Sequence, residues 1–123
     1  RIELYSNVTL LKQKQAAKVS KAYLKQAREF LNQGNDAAYY EAISKALFGY
    51  IGNKLSIPMT DFTVETIADT LHKKQVPEII IQTCIEIVNQ CEMARYAPIQ
   101  SIEDKEQLFT KTSQVIQGIE QNV

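Results

Sequence analysis

Between Pro77 and Pro98 runs PEIIIQTCIEIVNQCEMARYAP, the longest stretch of the chain that is apolar on more than one side. Prolines bound it at both ends. Pro77 suits a first helical position, where its missing N–H would be unpaired in any case, and Pro98 stops a helix at Ala97. Ile80, Cys84, Ile87, Cys91 and Ala94 recur at steps of four and three on one helical face, and Ile81, Ile85 and Val88 widen that face. A stripe that broad belongs in a core. Glu78, Gln82, Glu86, Asn89 and Glu92 break it too often for a membrane span, which needs about 20 predominantly apolar residues. The spacing therefore predicts a central apolar helix over 77–97 in a helical domain.

The flanking sequence reads as four more helices. Residues 6–33 are rich in Lys, Gln, Ala and Leu, with no proline or glycine before Gly34, and predict one long helix. Its apolar positions, Ala16 or Ala17, Ser20, Tyr23 with Leu24, Ala27 and Phe30 with Leu31, share a face. Lys14, Lys18, Lys21, Lys25 and Arg28 repeat on another face as a basic stripe. Gly34 can take the left-handed cap conformation, and Asn35 or Asp36 can cap the next helix, expected over 37–54. Tyr40, Ile43, Leu47, Tyr50 and Ile51 have core spacing there, with Tyr39, Ala42, Ala46 and Gly49 on the flank. So short a link predicts an antiparallel hairpin. LSIPMTD, residues 55–61, is a loop under which Leu55 and Ile57 tuck. Thr63 caps a short helix to Lys74 that buries Val64, Ile67, Ala68 and Leu71. Ser101 with Asp104 reads as a capping box for a last helix to about Gln121, marked by Leu108, Thr112, Val115, Ile116 and Ile119. Nothing alternates like a strand, so the expected fold is all-α: one domain over 1–123 of about five helices, with a helical core over 36–121.

A chain of 123 residues with 45% hydrophobic and 23% charged side chains supports one core and suggests neither disorder nor a fibre. Net charge is zero, yet residues 1–33 hold seven basic against two acidic side chains, and the remainder is correspondingly acidic. That polarity fits an anionic membrane surface, an acidic partner or a solvated helix face. Cys84 and Cys91 stand seven residues apart on one helix, about 10 Å along its axis, too far to bridge each other. They read as buried thiols. His72 is the only histidine and reads as a surface residue. The chain carries no H-E-x-x-H, C-x-x-C, phosphate-cradling glycine loop or G-x-S-x-G, so no enzyme, no cofactor, no metal, no small-molecule substrate and no nucleic acid is expected. Glu92, Arg95 and Tyr96 form the one polar group singled out near the core, as a partner contact or a structural pair at the helix end. The opening at Arg1, without methionine, leads us to expect a piece of a longer protein.

YYEAISKALFGYIGNKLSIP (residues 39–58) and CEMARYAP (residues 91–98), in that order, resemble the C-terminal cytoplasmic domain of BatD, from the Bat aerotolerance operons of Bacteroidetes. KQKQAAKVSKAYLKQAREFL (residues 12–31) is similar to the basic segment that follows the membrane span in that family. The resemblance implies a single-span membrane protein with this helical domain on the cytoplasmic side of the inner membrane. It implies a non-enzymatic interaction domain that helps assemble other Bat proteins, of von Willebrand A or helical-repeat type, for tolerance of oxygen and oxidative stress. The basic stripe, Lys14, Lys18, Lys21, Lys25 and Arg28, agrees with a position beneath a membrane span, facing anionic lipid or a partner. The alternative is a free-standing tetratricopeptide-like adaptor, since the helix-turn-helix around Gly34 looks like one such unit.

Overall fold

The computed structural model describes residues 2–58, 60, 62–94 and 102–123, side chains at 2–10, 12 and 102 excepted. Among these residues regular structure is helical throughout: α1 (Ile2–Gln33), α2 (Asp36–Leu55), α3 (Val64–Lys73), α4 (Glu78–Met93) and α5 (Ile102–Asn122). No breaker precedes Gly34, so α1 begins a turn earlier than the composition around Ser6 indicates. Arg95, Tyr96, Pro98 and Ser101 lie outside the described residues, and with them the last turn expected of the central helix and half of the capping box.

Three helices end in the same way. At α1 the Asn35 N–H reaches back to Phe30 O (3.0 Å) and the Gly34 N–H to Leu31 O (3.1 Å), with Gly34 at φ 74°. That is the Schellman arrangement, which satisfies carbonyls left open by the helix terminus. At α3 the Val76 N–H bonds Leu71 O (3.1 Å) and Gln75 sits at φ 62°; at α2 the Ile57 N–H bonds Gly52 O (3.2 Å) and Ser56 sits at φ 54°. Ile57 and Val76, the residues just past the turns, are buried and pin each turn to the core. The helix starts use side-chain caps where loops permit. Asn35 Oδ1 accepts from the Ala38 N–H (3.3 Å) and Thr63 Oγ1 from the Thr66 N–H (3.1 Å). Pro77 is the N-cap residue, at φ −55° and ψ 142°, one place before the helical position expected of it. Its carbonyl accepts from the N–H groups of Ile80 and Ile81.

The most extensive packing joins α1 and α2 into the antiparallel hairpin that the Gly34-Asn35 link implies. Their backbones come close at Ala16, Ala27, Ala42 and Ala46, all buried, and the Ser20 hydroxyl donates to Ala46 O (2.9 Å). Helix α5 lies along one face of the hairpin. It runs parallel to α2, since Lys105 meets Asp36 near both N-termini while Glu120 meets Tyr50 and Lys54 near both C-termini. It runs antiparallel to α1, where Arg28 pairs with Glu106. Helix α4 packs antiparallel on α5, placing Ile80 against Gly118 and Glu86 near Lys111 (3.3 Å), and α3 packs on α4. Ile81, Cys84, Ile87, Val88 and Cys91 of α4 face the core as the apolar stripe predicts, whereas Ile79 is turned to solvent.

Two side chains depart from the expected pattern. Tyr39 belongs to the core rather than the flank: it is fully buried because its hydroxyl finds an acceptor in Lys105 O (2.5 Å). Lys105 is itself buried, with its ammonium 2.6 Å from Asp36 Oδ1 at the start of α2.

Candidate functional site

The basic stripe survives folding with one loss. Lys14, Lys18, Lys21 and Lys25 are exposed over a twelve-residue stretch of α1, about 16 Å of helix. Arg28 is drawn away from them: it forms the ion pair with Glu106, and its guanidinium lies 4.3 Å above the centre of the Phe109 ring. Among the described residues Lys45, Lys54, Lys105 and Lys111 each have a carboxylate within ion-pair distance, and Lys14, Lys18, Lys21 and Lys25 do not. Lys21 acts only at longer range, on Glu120. Burial would raise the Glu120 carboxyl, but hydrogen bonds from Tyr50 and Lys54, with the charges of Lys54 and Lys21, bring it below its ordinary value.

Of the other candidates, Glu92 is exposed on the last turn of α4, and its proposed companions Arg95 and Tyr96 lie outside the described residues. Cys84 and Cys91 are buried free thiols. Burial pushes Cys84 up to about 12; it also raises Cys91, against a hydrogen bond to Ser44. Neither thiol is poised for nucleophilic or redox chemistry. His72 is exposed at the end of α3 with Nε2 2.8 Å from Glu78 Oε1, as its surface reading predicts. The Glu78 carboxyl is held below its usual range by the hydrogen bond from Gln82 and then by His72. Among the described residues no cluster could hold a metal ion, and no helix is long and apolar enough to cross a membrane.

The feature with the most shape is one that the spacing did not single out. On α1 Val19 lies nine residues before Arg28, two and a half turns away, so it points to the side opposite α5. There the hairpin is uncovered. A trough of about 890 Å³ runs between Val19 and Tyr23 of α1, the outer side of α2 and the loop after it. Its apolar wall is Phe48 and Phe62, whose rings meet edge to face at 5.5 Å. Gly49, with open space above it, and Gly52 keep the α2 floor low. Past Glu41 and Lys45, which pair with each other at 3.1 Å, the trough continues into a hollow of about 170 Å³ beside Phe30 and Ala38. At the other end Gln13 Nε2 donates to Ser56 Oγ (3.3 Å), tying α1 to the end of α2. Val19 is 43% exposed, and Tyr23, Phe30, Phe48 and Phe62 are only partly buried. The sequence held a signal for this: Val19, Tyr23, Gln26 and Phe30 form a second row beside the core row Ala16, Ser20, Leu24 and Ala27. One helix contact does not need both rows.

No protein-family model, curated protein or solved structure matches the chain.

Proposed function

We propose that this chain is a non-enzymatic protein–protein interaction domain of a membrane-anchored protein of the Bat type, active in tolerance of oxygen and oxidative stress. Its place is the cytoplasmic side of the inner membrane, where it helps assemble other Bat proteins, of von Willebrand A or helical-repeat type. The resemblance of residues 12–31, 39–58 and 91–98 to the BatD C-terminal domain supplies the family. The uncovered trough on the α1–α2 hairpin carries the interaction reading, because partly exposed aromatic side chains over low glycines are what a docking surface offers. A helix is the natural occupant, since the opposite face of the same hairpin already accepts α5.

The test is co-purification of the other Bat proteins with the tagged protein from its own membranes. Val19→Glu puts a charge into the trough at an exposed position and is expected to abolish recovery of the partner while far-ultraviolet circular dichroism stays unchanged. Full recovery with this variant sinks the reading. The antiparallel hairpin with Gly34 at its turn favours one other reading, a tetratricopeptide-type adaptor. Residues preceding Arg1 separate the two: further helical hairpins support the adaptor, and an apolar span of about 20 residues supports the anchored domain.

A further inference from the structure

We infer that Lys14, Lys18, Lys21 and Lys25 form a contact face for an anionic lipid surface, on which α1 lies flat. The face is separate from the trough, since none of the four lysines lines either hollow.

Arrangement comes first. At about 100° per residue the four side chains fall within an arc of about 60° round α1, so one plane can touch them all. That arc is turned away from the buried Ala16 and Ala27, where α2 comes close, and forms the outer side of the hairpin. Val19, on the trough side, stands about 100° or more from each lysine. Arg28, just beyond the arc on the other side, shows the contrast: α5 meets it with Glu106 and Phe109, while the four lysines stay exposed.

Charge then selects an anion. No acidic residue occurs between Glu3 and Glu29, and none of the four lysines has a carboxylate within ion-pair distance. Glu29, a turn past Lys25, ends the row without pairing to it. Glu120, which Lys21 reaches only at longer range, is held by Tyr50 and Lys54. Shape decides which anion. A protein partner anchors on aromatic and arginine side chains seated in hollows, and lysine is depleted from such contacts. Beside these lysines stand only Gln15 and Ala22 on the convex side of a helix, and Arg28 is withdrawn to α5. Lysine is a compact charge on a flexible stem, suited to a fluid layer of headgroups rather than to a fixed carboxylate fork. Leu11, 54% exposed, lies about 20° from Lys18 round the helix, so the same plane receives an apolar side chain at its end, as a membrane interface does.

The test is sedimentation of the 123-residue chain with vesicles of phosphatidylcholine, with and without about 30% phosphatidylglycerol. The chain is expected to pellet with the anionic vesicles and not with the neutral ones, and to be released as salt shortens the Debye length to about 3 Å. Lys18→Gln/Lys21→Gln/Lys25→Gln is expected to weaken partitioning at least about tenfold, with far-ultraviolet circular dichroism unchanged because lysine and glutamine have similar helix propensities. Lys45→Gln/Lys73→Gln/Lys74→Gln removes the same charge from α2 and the end of α3, and is expected to leave partitioning within about twofold of the wild type. Equal losses in the two triple variants assign the attraction to net charge and overturn the lipid face. Absence of binding, or neutral vesicles that bind the chain as well as anionic ones, overturns it too. Polyglutamate is the last arm: its capture through Lys18, Lys21 and Lys25, without vesicle binding, assigns the row to an acidic polypeptide and overturns the inference.

Discussion

Gln75 and Ser56 adopt at the ends of α3 and α2 the left-handed conformation that Gly34 adopts at the end of α1, without glycine's freedom to do so. Left-handed backbone costs a residue with a Cβ roughly 1–2 kcal/mol, and here the buried Val76 and Ile57 that follow hold the turns in place. Gln75→Gly is therefore expected to stabilise the domain by about 1 kcal/mol and Gln75→Val to destabilise it, read as shifts of the urea midpoint. Sequence betrayed the first of these turns and hid the others, because only glycine announces a positive φ. Lys105 was hidden for a different reason: one turn into an amphipathic helix a lysine reads as solvated, and its burial depends on Asp36, 69 residues away. Asp36→Ala strands that ammonium in a site only 10% open to solvent, at an expected cost of about 1–3 kcal/mol. Adding Lys105→Met is expected to recover most of the loss, because a well-packed apolar side chain needs no partner. If the double variant unfolds at lower urea than Asp36→Ala, the pair does more than satisfy itself.

Between elements, α4 comes close to α5 at Gly118, where a Cβ would sit 2.7 Å from Ile80 Cδ1 and 3.1 Å from its Cγ1. Ile80 is branched and half-buried, so its tip can shift a little for a methyl group but not for an isopropyl group. Gly118→Ala is expected to be nearly neutral, the gain in helix propensity offsetting the contact, while Gly118→Val costs about 1–3 kcal/mol by overpacking. Equal thermal unfolding temperatures for these two variants would show that α4 and α5 are farther apart. Element identity was legible from periodicity alone: the core rows of α1, α2, α4 and α5 lie where steps of three and four put them. Contact identity was not. Val19, Tyr23 and Phe30 have the same spacing whether a helix covers them or the trough leaves them open, and only the placement of α5 on the other face decides it. The lysine stripe was legible as exposed, but Arg28 was not separable from it until Glu106 and Phe109 stood opposite.

At the scale of the molecule, the buried acids set the pH range of the fold. Burial raises the Tyr50 hydroxyl, helped by its hydrogen bond to Glu120; burial also raises Tyr39, against the charge of Arg28, and moves Cys84 from 9.0 to about 12. In the unfolded chain these groups lose their protons at ordinary values, whereas the fold keeps them protonated. Above about pH 9 the unfolded state therefore binds fewer protons than the folded state, and stability falls as pH rises. Cys84 alone withdraws on the order of 4 kcal/mol by pH 12. Glu120 works in the opposite direction. Its folded carboxyl lies below the ordinary 4.5, so its contribution is complete above that value and is lost as pH falls through the folded one. The urea midpoint is expected to be level between about pH 5 and 9, to fall steeply on the alkaline side, and to fall more gently on the acid side, where Glu120 is partly solvated. Tyr50→Phe links the two limbs, because it removes one alkaline group and the hydrogen bond that steadies Glu120. The variant should lower the midpoint at pH 7 and flatten both limbs, because one alkaline group is gone and a Glu120 carboxyl whose folded value lies nearer its unfolded one has less stability to lose as the pH falls. A wild-type midpoint level from pH 8 to 11 would mean that these hydroxyl and thiol groups ionise inside the fold as freely as outside it, which the burial of Tyr50 and Cys84 does not permit.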